Sequence, residues 1–221
     1  MSLFYHNSGW LLGISASAPI AVGLHGHSGE ATPEAPIATF WGMPTIFNPA
    51  CKWIMAVLSS RPKPPPSLWP ELESVFGSID FRGEFLPFAG TDYYREEFGP
   101  DLCRGFLAFR GLGGPERLVR MKLLAARVER ETARDGRRVH NLDIGYMDPD
   151  KVVLASFKRG PCKIYIGHGV YADLLLKYSE GGFQPLPWSF PDFRDGRYAK
   201  SLLAIREKLK SELRKAQGGP A

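Results

Sequence analysis

Lys52-Trp53-Ile54-Met55-Ala56-Val57-Leu58, stopped by Ser59-Ser60, reads as one continuous apolar run. Its length and its bounding turn residues suit a strand buried on both faces, so it is expected at the centre of a sheet. Downstream, Pro62 to Pro66 make a stiff connector. Ser67 then stands where it can cap a helix running to Phe76, with Pro70 tolerated in the first turn. Leu68, Leu72, Val75 and Phe76 give that helix an apolar side, and Gly77 ends it. Phe81 to Phe88 and Leu102 to Phe109 read as strands, separated by the polar and aromatic segment Thr91 to Pro100.

Pro115 opens a second helix, on which Leu118, Met121, Ala125 and Val128 recur at three- and four-residue steps. Arg117, Arg120, Arg127, Arg130 and Arg134 occupy its other faces. Beyond Asp135-Gly136 the pattern turns strand-like over Val139 to Asp143, Lys151 to Phe157, Lys163 to Ile166 and Val170 to Tyr178. Turns are expected at Asp148-Pro149-Asp150, Arg159-Gly160-Pro161 and Gly167-His168-Gly169. A last helix, starting near Asp195, carries Tyr198, Leu202, Ile205, Leu209 and Leu213 on one side. This order implies an α+β fold. It is a mostly antiparallel sheet with a ferredoxin-like β-α-β-β-α start, extended by a strand meander and closed by a C-terminal helix.

Composition sets the outer limits. The 221 residues are 44% hydrophobic and 23% charged, ordinary for a globular chain. Residues 49–216 are expected to form one domain, long enough to fold without disulfides or metals. Cys51, Cys103 and Cys162 are too few and too scattered for a secreted disulfide framework, which points to a reduced, cytoplasmic setting. Residues 1–48 contain no Lys or Arg. All 28 bases therefore fall in the remainder, against 21 of the 23 acids, and that remainder leans toward anionic partners. The apolar stretch Trp10 to Leu24 lacks the positive charge that precedes a secretory signal. It is also too broken by Gly13, Pro19 and Gly23 to span a membrane. Residues 1–48 are thus expected to be a disordered or mis-assigned extension, with Met43 the start and a cryptic signal peptide the alternative. Residues 217–221 are expected to be a disordered tail.

Five stretches in order carry a resemblance. They are Thr91-Asp92-Tyr93-Tyr94 with Glu97 and Gly99, then Asn141-Leu142-Asp143-Ile144-Gly145-Tyr146, then Leu154-Ala155-Ser156 with Lys158. Ile164-Tyr165 with Gly169-Val170-Tyr171-Ala172 follow, and last Trp188 with Pro191-Asp192-Phe193-Arg194. From Lys52 to the final helix the chain resembles domain-of-unknown-function family 4416, a set of uncharacterised bacterial proteins. It departs from the family in having Ile144 for Pro, Cys162-Lys163 for His-Arg and Asp173 for Glu, so chemistry needing an imidazole before the Ile164 strand is not expected. Some members are labelled GTP-binding proteins. A P-loop requires a Gly-Lys pair to wrap phosphates, and this chain has none, so a P-loop GTPase is excluded.

Other motifs are weighed on their chemistry. Gly167-x-Gly169-x-x-Ala172 matches a dinucleotide fingerprint in letters, but a short strand rather than a helix is expected to follow it, and a hairpin turn is the better reading. Neither C-x-x-C nor H-E-x-x-H occurs. Asp143, Asp148 and Asp150 straddle a turn and could share a hard cation such as Mg²⁺, although such acids also simply build turns. Ser156 and Cys162 lack the setting of an activated nucleophile.

The candidate site residues are therefore polar and aromatic groups at strand and helix ends. Asp92 and Asp143 are the candidate acid/base groups. Tyr94, Glu97, Asn141, Tyr146, Lys158, Tyr171, Asp173, Asp192 and Arg194 are the candidate ligand-binding groups. Together they imply an anionic small molecule, such as a nucleotide or sugar phosphate, with no membrane partner. The rival is a non-catalytic RNA- or protein-binding module, since Arg137-Arg138, Lys158-Arg159 and Lys163 are interleaved with Phe157 and Tyr165. In a purely structural alternative, these tyrosines would serve as corners, the aspartates as caps, and Arg194 as an internal salt bridge.

Overall fold

The computed structural model describes residues 50–59, 64–88, 98 and 101–218. At its centre lies β1 (Cys51–Ser59), buried along its whole length. Alternation divides its side chains between two cores. Met55 and Val57 pack on one face with Leu68, Leu72 and Phe76 of α1 (Leu68–Phe76) and with Leu118, Met121, Ala125 and Val128 of α2 (Leu118–Glu131). Ile54 and Ala56 pack on the other face with Tyr198, Leu202, Ile205 and Leu209 of the last helix (Ala199–Ala216). The sheet is thus sandwiched between two helical layers, which is why β1 is apolar from Trp53 to Leu58.

The other strands are β2 (Ile79–Arg82), β3 (Leu86–Pro87), β4 (Cys103–Gly113), β5 (His140–Met147), β6 (Lys151–Ser156), β7 (Lys163–Gly167), β8 (Val170–Ser179) and β9 (Gly182–Pro185). All nine join one sheet in the order β2-β4-β1-β5-β6-β8-β7, with β3 on β4 and β9 on β8. Every pairing is antiparallel. The α+β reading holds. The inner order β2-β4-β1-β5, with α1 and α2 on one face, is that of a ferredoxin-like unit, and β6 to β9 extend it as a meander.

Several local expectations are corrected. Ser67 has helical backbone angles and makes no side-chain cap. Phe81 to Phe88 is two short strands, broken where Gly83 passes close to the Ser201 hydroxyl and Phe85 folds its ring over Gly105. The last helix starts four residues later than Asp195, because Gly196 takes a left-handed conformation. A single turn, α3 (Pro191–Arg194), precedes it, and the long helix is α4. Strand β9 carries no alternation long enough to find. Gly167-His168-Gly169 is a hairpin turn with all three residues at positive φ, so no helix N-terminus is available there for a dinucleotide.

No helix among the described residues is long and apolar enough to cross a membrane. Charge is also placed in the interior. Lys52 is fully buried, and its ammonium donates to Asp80 at 2.9 Å, to Glu212 at 2.8 and 2.9 Å and to the Phe109 carbonyl at 3.0 Å. This network clamps α4 to the sheet.

Candidate functional site

The site begins as a defect in the sheet. β5 pairs with β1 along its full length, but with β6 only where Gly145, Tyr146 and Met147 meet Leu154, Val153 and Val152. Beyond Leu154, Ala155 and Ser156 stay paired to β8. Strands β5 and β6 therefore part company N-terminal to Gly145. At the apex the strands are so close that a Cβ on Gly145 would lie 2.1 Å from the Val153 carbonyl oxygen, so only glycine fits.

Parted strands leave backbone groups that need partners. Helix α2 supplies them. Lys122 Nζ donates to the Leu142 carbonyl at 3.0 Å, and Glu129 Oε1 accepts from the Leu142 amide at 2.6 Å. Lys122 also reaches Asp143 Oδ1 at 3.0 Å, while Asn141 Nδ2 donates to Asp143 Oδ2 at 2.7 Å. Arg138 donates to the other oxygen of Glu129 at 3.2 Å. Burial by itself would raise the Asp143 carboxyl, but Lys122, Arg104 and the bonds from Lys122 and Asn141 outweigh it and hold the carboxyl below its ordinary range. Burial pushes the Glu129 carboxyl up, against the pull of Lys122, Leu142 N–H and Arg138. Two neighbouring carboxyls are thus displaced in opposite directions.

The opening is a cavity of about 580 Å³. Lys122, Glu129, Arg138, Asn141 and Asp143 form one wall; Ser156, Lys163, Asp173 and the β6–β7 loop, residues 157–162, form the other. Lys163 Nζ lies 3.0 Å from Asp173 and 3.1 Å from the Ser156 hydroxyl. Trp188 and Phe190 complete the lining. Their segment is fastened down: Trp188 Nε1 donates to Leu174 O at 2.8 Å, the Ser189 hydroxyl bonds Leu175 O, and Arg194 donates to Ser189 O at 2.7 Å and to Pro187 O at 2.5 Å. Phe157, half exposed, faces Lys122 Nζ at 5.5 Å from its ring centre. Five bases and three acids line the space, beside three exposed aromatic rings.

Of the residues singled out by sequence, Asn141, Asp143, Lys158 and Asp173 meet in this cavity. Asp92, Tyr94 and Glu97 lie outside the described residues. The remainder are elsewhere. Tyr146 packs on the α1–α2 face, and the Tyr171 ring meets that of Tyr165 at a tilt of 59°, with centroids 5.3 Å apart. Asp192 is buried against Arg104 at 2.5 Å and the Tyr198 hydroxyl at 3.0 Å. Arg194 binds backbone carbonyls, neither a ligand pocket nor the internal salt bridge of the alternative. It acts at one remove, by shaping the turn that presents Trp188 and Phe190. Asp148 accepts from the amides of Asp150 and Lys151, both at 2.9 Å, and pairs with the Lys151 ammonium, so it builds its turn. Asp143, Asp148 and Asp150 therefore do not share a cation, and among the described residues no group of three metal-ligating side chains gathers.

Lys122, Glu129 and Phe190 were missed, and Arg138 and Lys163, read from the sequence only as part of an RNA-binding surface, line this cavity instead. Lys122 and Glu129 each adjoin a residue of the α2 apolar stripe, Met121 and Val128. Opposite charges two turns apart at the margin of a buried face were the available signal.

A model of the family described as Domain of unknown function (DUF4416) matches residues 49–209. No curated protein and no solved structure matches the chain.

Proposed function

Because the chain belongs to the family described as Domain of unknown function (DUF4416), whose description carries no activity, we propose a function from the cavity itself: this domain binds an anionic small molecule such as a nucleotide or a sugar phosphate. The observation that carries this reading is the convergence of Lys122, Arg138, Lys158, Arg159 and Lys163 with Asp143, Asn141 and Asp173 around one space walled by Trp188 and Phe190. Its volume lies within the range of small-molecule sites. Excess positive charge favours an anion, and the rings offer a flat apolar surface to a base or a sugar face. The fastened Trp188–Phe190 segment makes that wall ready before the ligand arrives, which lowers the ordering cost of binding. We place this activity in the bacterial cytosol, in keeping with three free cysteines.

The test is a thermal-shift screen of the full chain against nucleotides and phosphorylated metabolites, with and without Mg²⁺. A phosphorylated compound should raise the melting temperature and change Trp188 emission, and Trp188→Phe should remove that spectral change. If no anion at millimolar concentration shifts the transition, the proposal fails.

One feature favours the rival binding module. Ile164 and Tyr165 are 70% and 60% exposed on edge strand β7, next to the basic β6–β7 loop. Retention of single-stranded RNA by the protein, lost in Tyr165→Ala and unaffected by small anions, would support that reading instead.

A further inference from the structure

We propose that the cavity takes a phosphomonoester of a hydroxyl-bearing molecule in one orientation, phosphate on the β6–β7 loop and hydroxyls on Asp143 and Asn141. This rests on the anion-binding reading above and gives it a polarity.

The polarity comes from strand register. Gly145 pairs with Leu154 where the ladder ends. Continued by two residues, the same register would set Asp143 opposite Ser156, and by four, Asn141 opposite the Lys158 position. Alternation therefore turns Asp143 and Ser156 to one face of the sheet. Since the strands separate, what would have been cross-strand pairs become facing walls with the cavity between them.

The walls differ in chemistry. On the β6–β7 side stand the Ser156 hydroxyl, Lys163, Lys158 and Arg159, with Asp173 the one acid. On the β5 side the bases Lys122 and Arg138 are matched by Asp143 and Glu129, each within hydrogen-bonding distance. A phosphate dianion is repelled by two carboxylates and drawn to the first wall. The second wall has no net charge to offer an ammonium, but it is rich in acceptors. Asp143 Oδ1 receives Lys122 and Oδ2 receives Asn141, so each oxygen keeps a lone pair for a neutral donor. Hydroxyl groups fit that need. A sugar phosphate and a nucleoside monophosphate share this chemistry, and the Trp188–Phe190 wall is where a base would distinguish them.

The experiment is calorimetric titration of the full chain with AMP and with ribose 5-phosphate, each against its dephosphorylated and its deoxy analogue. We expect removal of phosphate to weaken binding at least about tenfold and removal of the ribose hydroxyls to weaken it by about tenfold, the scale of losing charge-assisted hydrogen bonds. In Arg159→Ala the preference for the phosphorylated compound should shrink while the hydroxyl preference stays. In Asp143→Asn the hydroxyl preference should shrink while the phosphate preference stays. Tighter binding by AMP than by ribose 5-phosphate would assign a base to the aromatic wall. The orientation is overturned if the deoxy analogues bind the unmodified chain as tightly as their parents, or if Asp143→Asn weakens parent and deoxy analogue by one factor. Should Asp143→Asn fail to fold, the unmodified chain and Arg159→Ala still decide. If none of these compounds binds, the anion-binding reading itself falls; if they bind without hydroxyl preference, only the orientation does.

Discussion

Lys122 and Glu129, two turns apart on α2, bond the carbonyl and the amide of one residue, Leu142. They do for β5 what a neighbouring strand would otherwise do. A helix thereby substitutes for a missing piece of ladder, and the sheet can open without leaving those backbone groups of Leu142 unpaired. The cavity follows from this arrangement.

Lys122→Met should therefore act on stability and on charge together. The methionine fills similar volume but leaves the Leu142 carbonyl without its donor and Asp143 without its nearest cation. A loss of about 3 kcal/mol is expected from breaking a largely buried pair, measured as a lower urea midpoint. The Asp143 carboxyl, followed by NMR titration, should rise. An unchanged midpoint would mean that water replaces the ammonium without cost.

Gly145→Ala places a methyl group 2.1 Å from the Val153 carbonyl oxygen and 2.9 Å from the Leu154 Cα, both backbone atoms. Neither can yield as a flexible side chain would. Destabilisation of about 2 kcal/mol or more is expected, on the scale of overpacking a core. Hydrogen exchange should quicken first at Val153 and Leu154, the strand apex. Protection there equal to that of the unmodified chain would contradict the close approach.

Stability should fall as the solution is acidified below pH 6.5. His140 is buried with Nδ1 unpartnered, and burial, aided by Arg134, pushes its pKa down from 6.5 to about 4. The unfolded chain therefore binds a proton that the folded chain refuses across that interval. Stability contributed by neutral His140 is present above pH 6.5 and is lost toward pH 4, by an amount on the order of 3 kcal/mol. Glu129, shifted up, works the other way and offsets part of the loss. Chemical denaturation of His140→Gln at a series of pH values should show a flatter decline than the unmodified chain. Identical slopes would assign the acid sensitivity to other groups.

The Lys52 network should respond asymmetrically. Lys52 is 0% exposed, whereas Asp80 and Glu212 retain 11% and 19% side-chain exposure. Removing both acids, as Asp80→Asn with Glu212→Gln, leaves a cation that cannot reach water and should cost about 3 kcal/mol or more. Lys52→Met leaves two carboxylates that can, and should cost less. Equal melting temperatures for the two variants would refute this ordering.

The sequence by itself determined what depends on short periods. The two-faced burial of β1, the stripe of Leu118, Met121, Ala125 and Val128, and the turn at Gly167-His168-Gly169 all follow from which side chains neighbour one another within a few residues. The same local chemistry pointed to Asn141, Asp143, Lys158 and Asp173, but read them as lying at strand ends, whereas Asp143 and Asp173 sit within β5 and β8, paired to Ala56 and Leu154. Tertiary structure alone decided which of the candidates meet. Asp192 has Arg104 as its partner across 88 positions, and Lys52 finds Glu212 across 160. Charge pairing at that range leaves no periodic trace, because any acid of suitable reach would read the same in the sequence. Arg194 shows the other limit: an arginine near an aspartate looks like an anion site, yet its guanidinium donates to the carbonyls of Pro187 and Ser189. The split between β5 and β6 was equally hidden. It depends on one glycine at the point of closest approach and on two α2 side chains that reach around the strand edge, relationships that exist only once the sheet has formed.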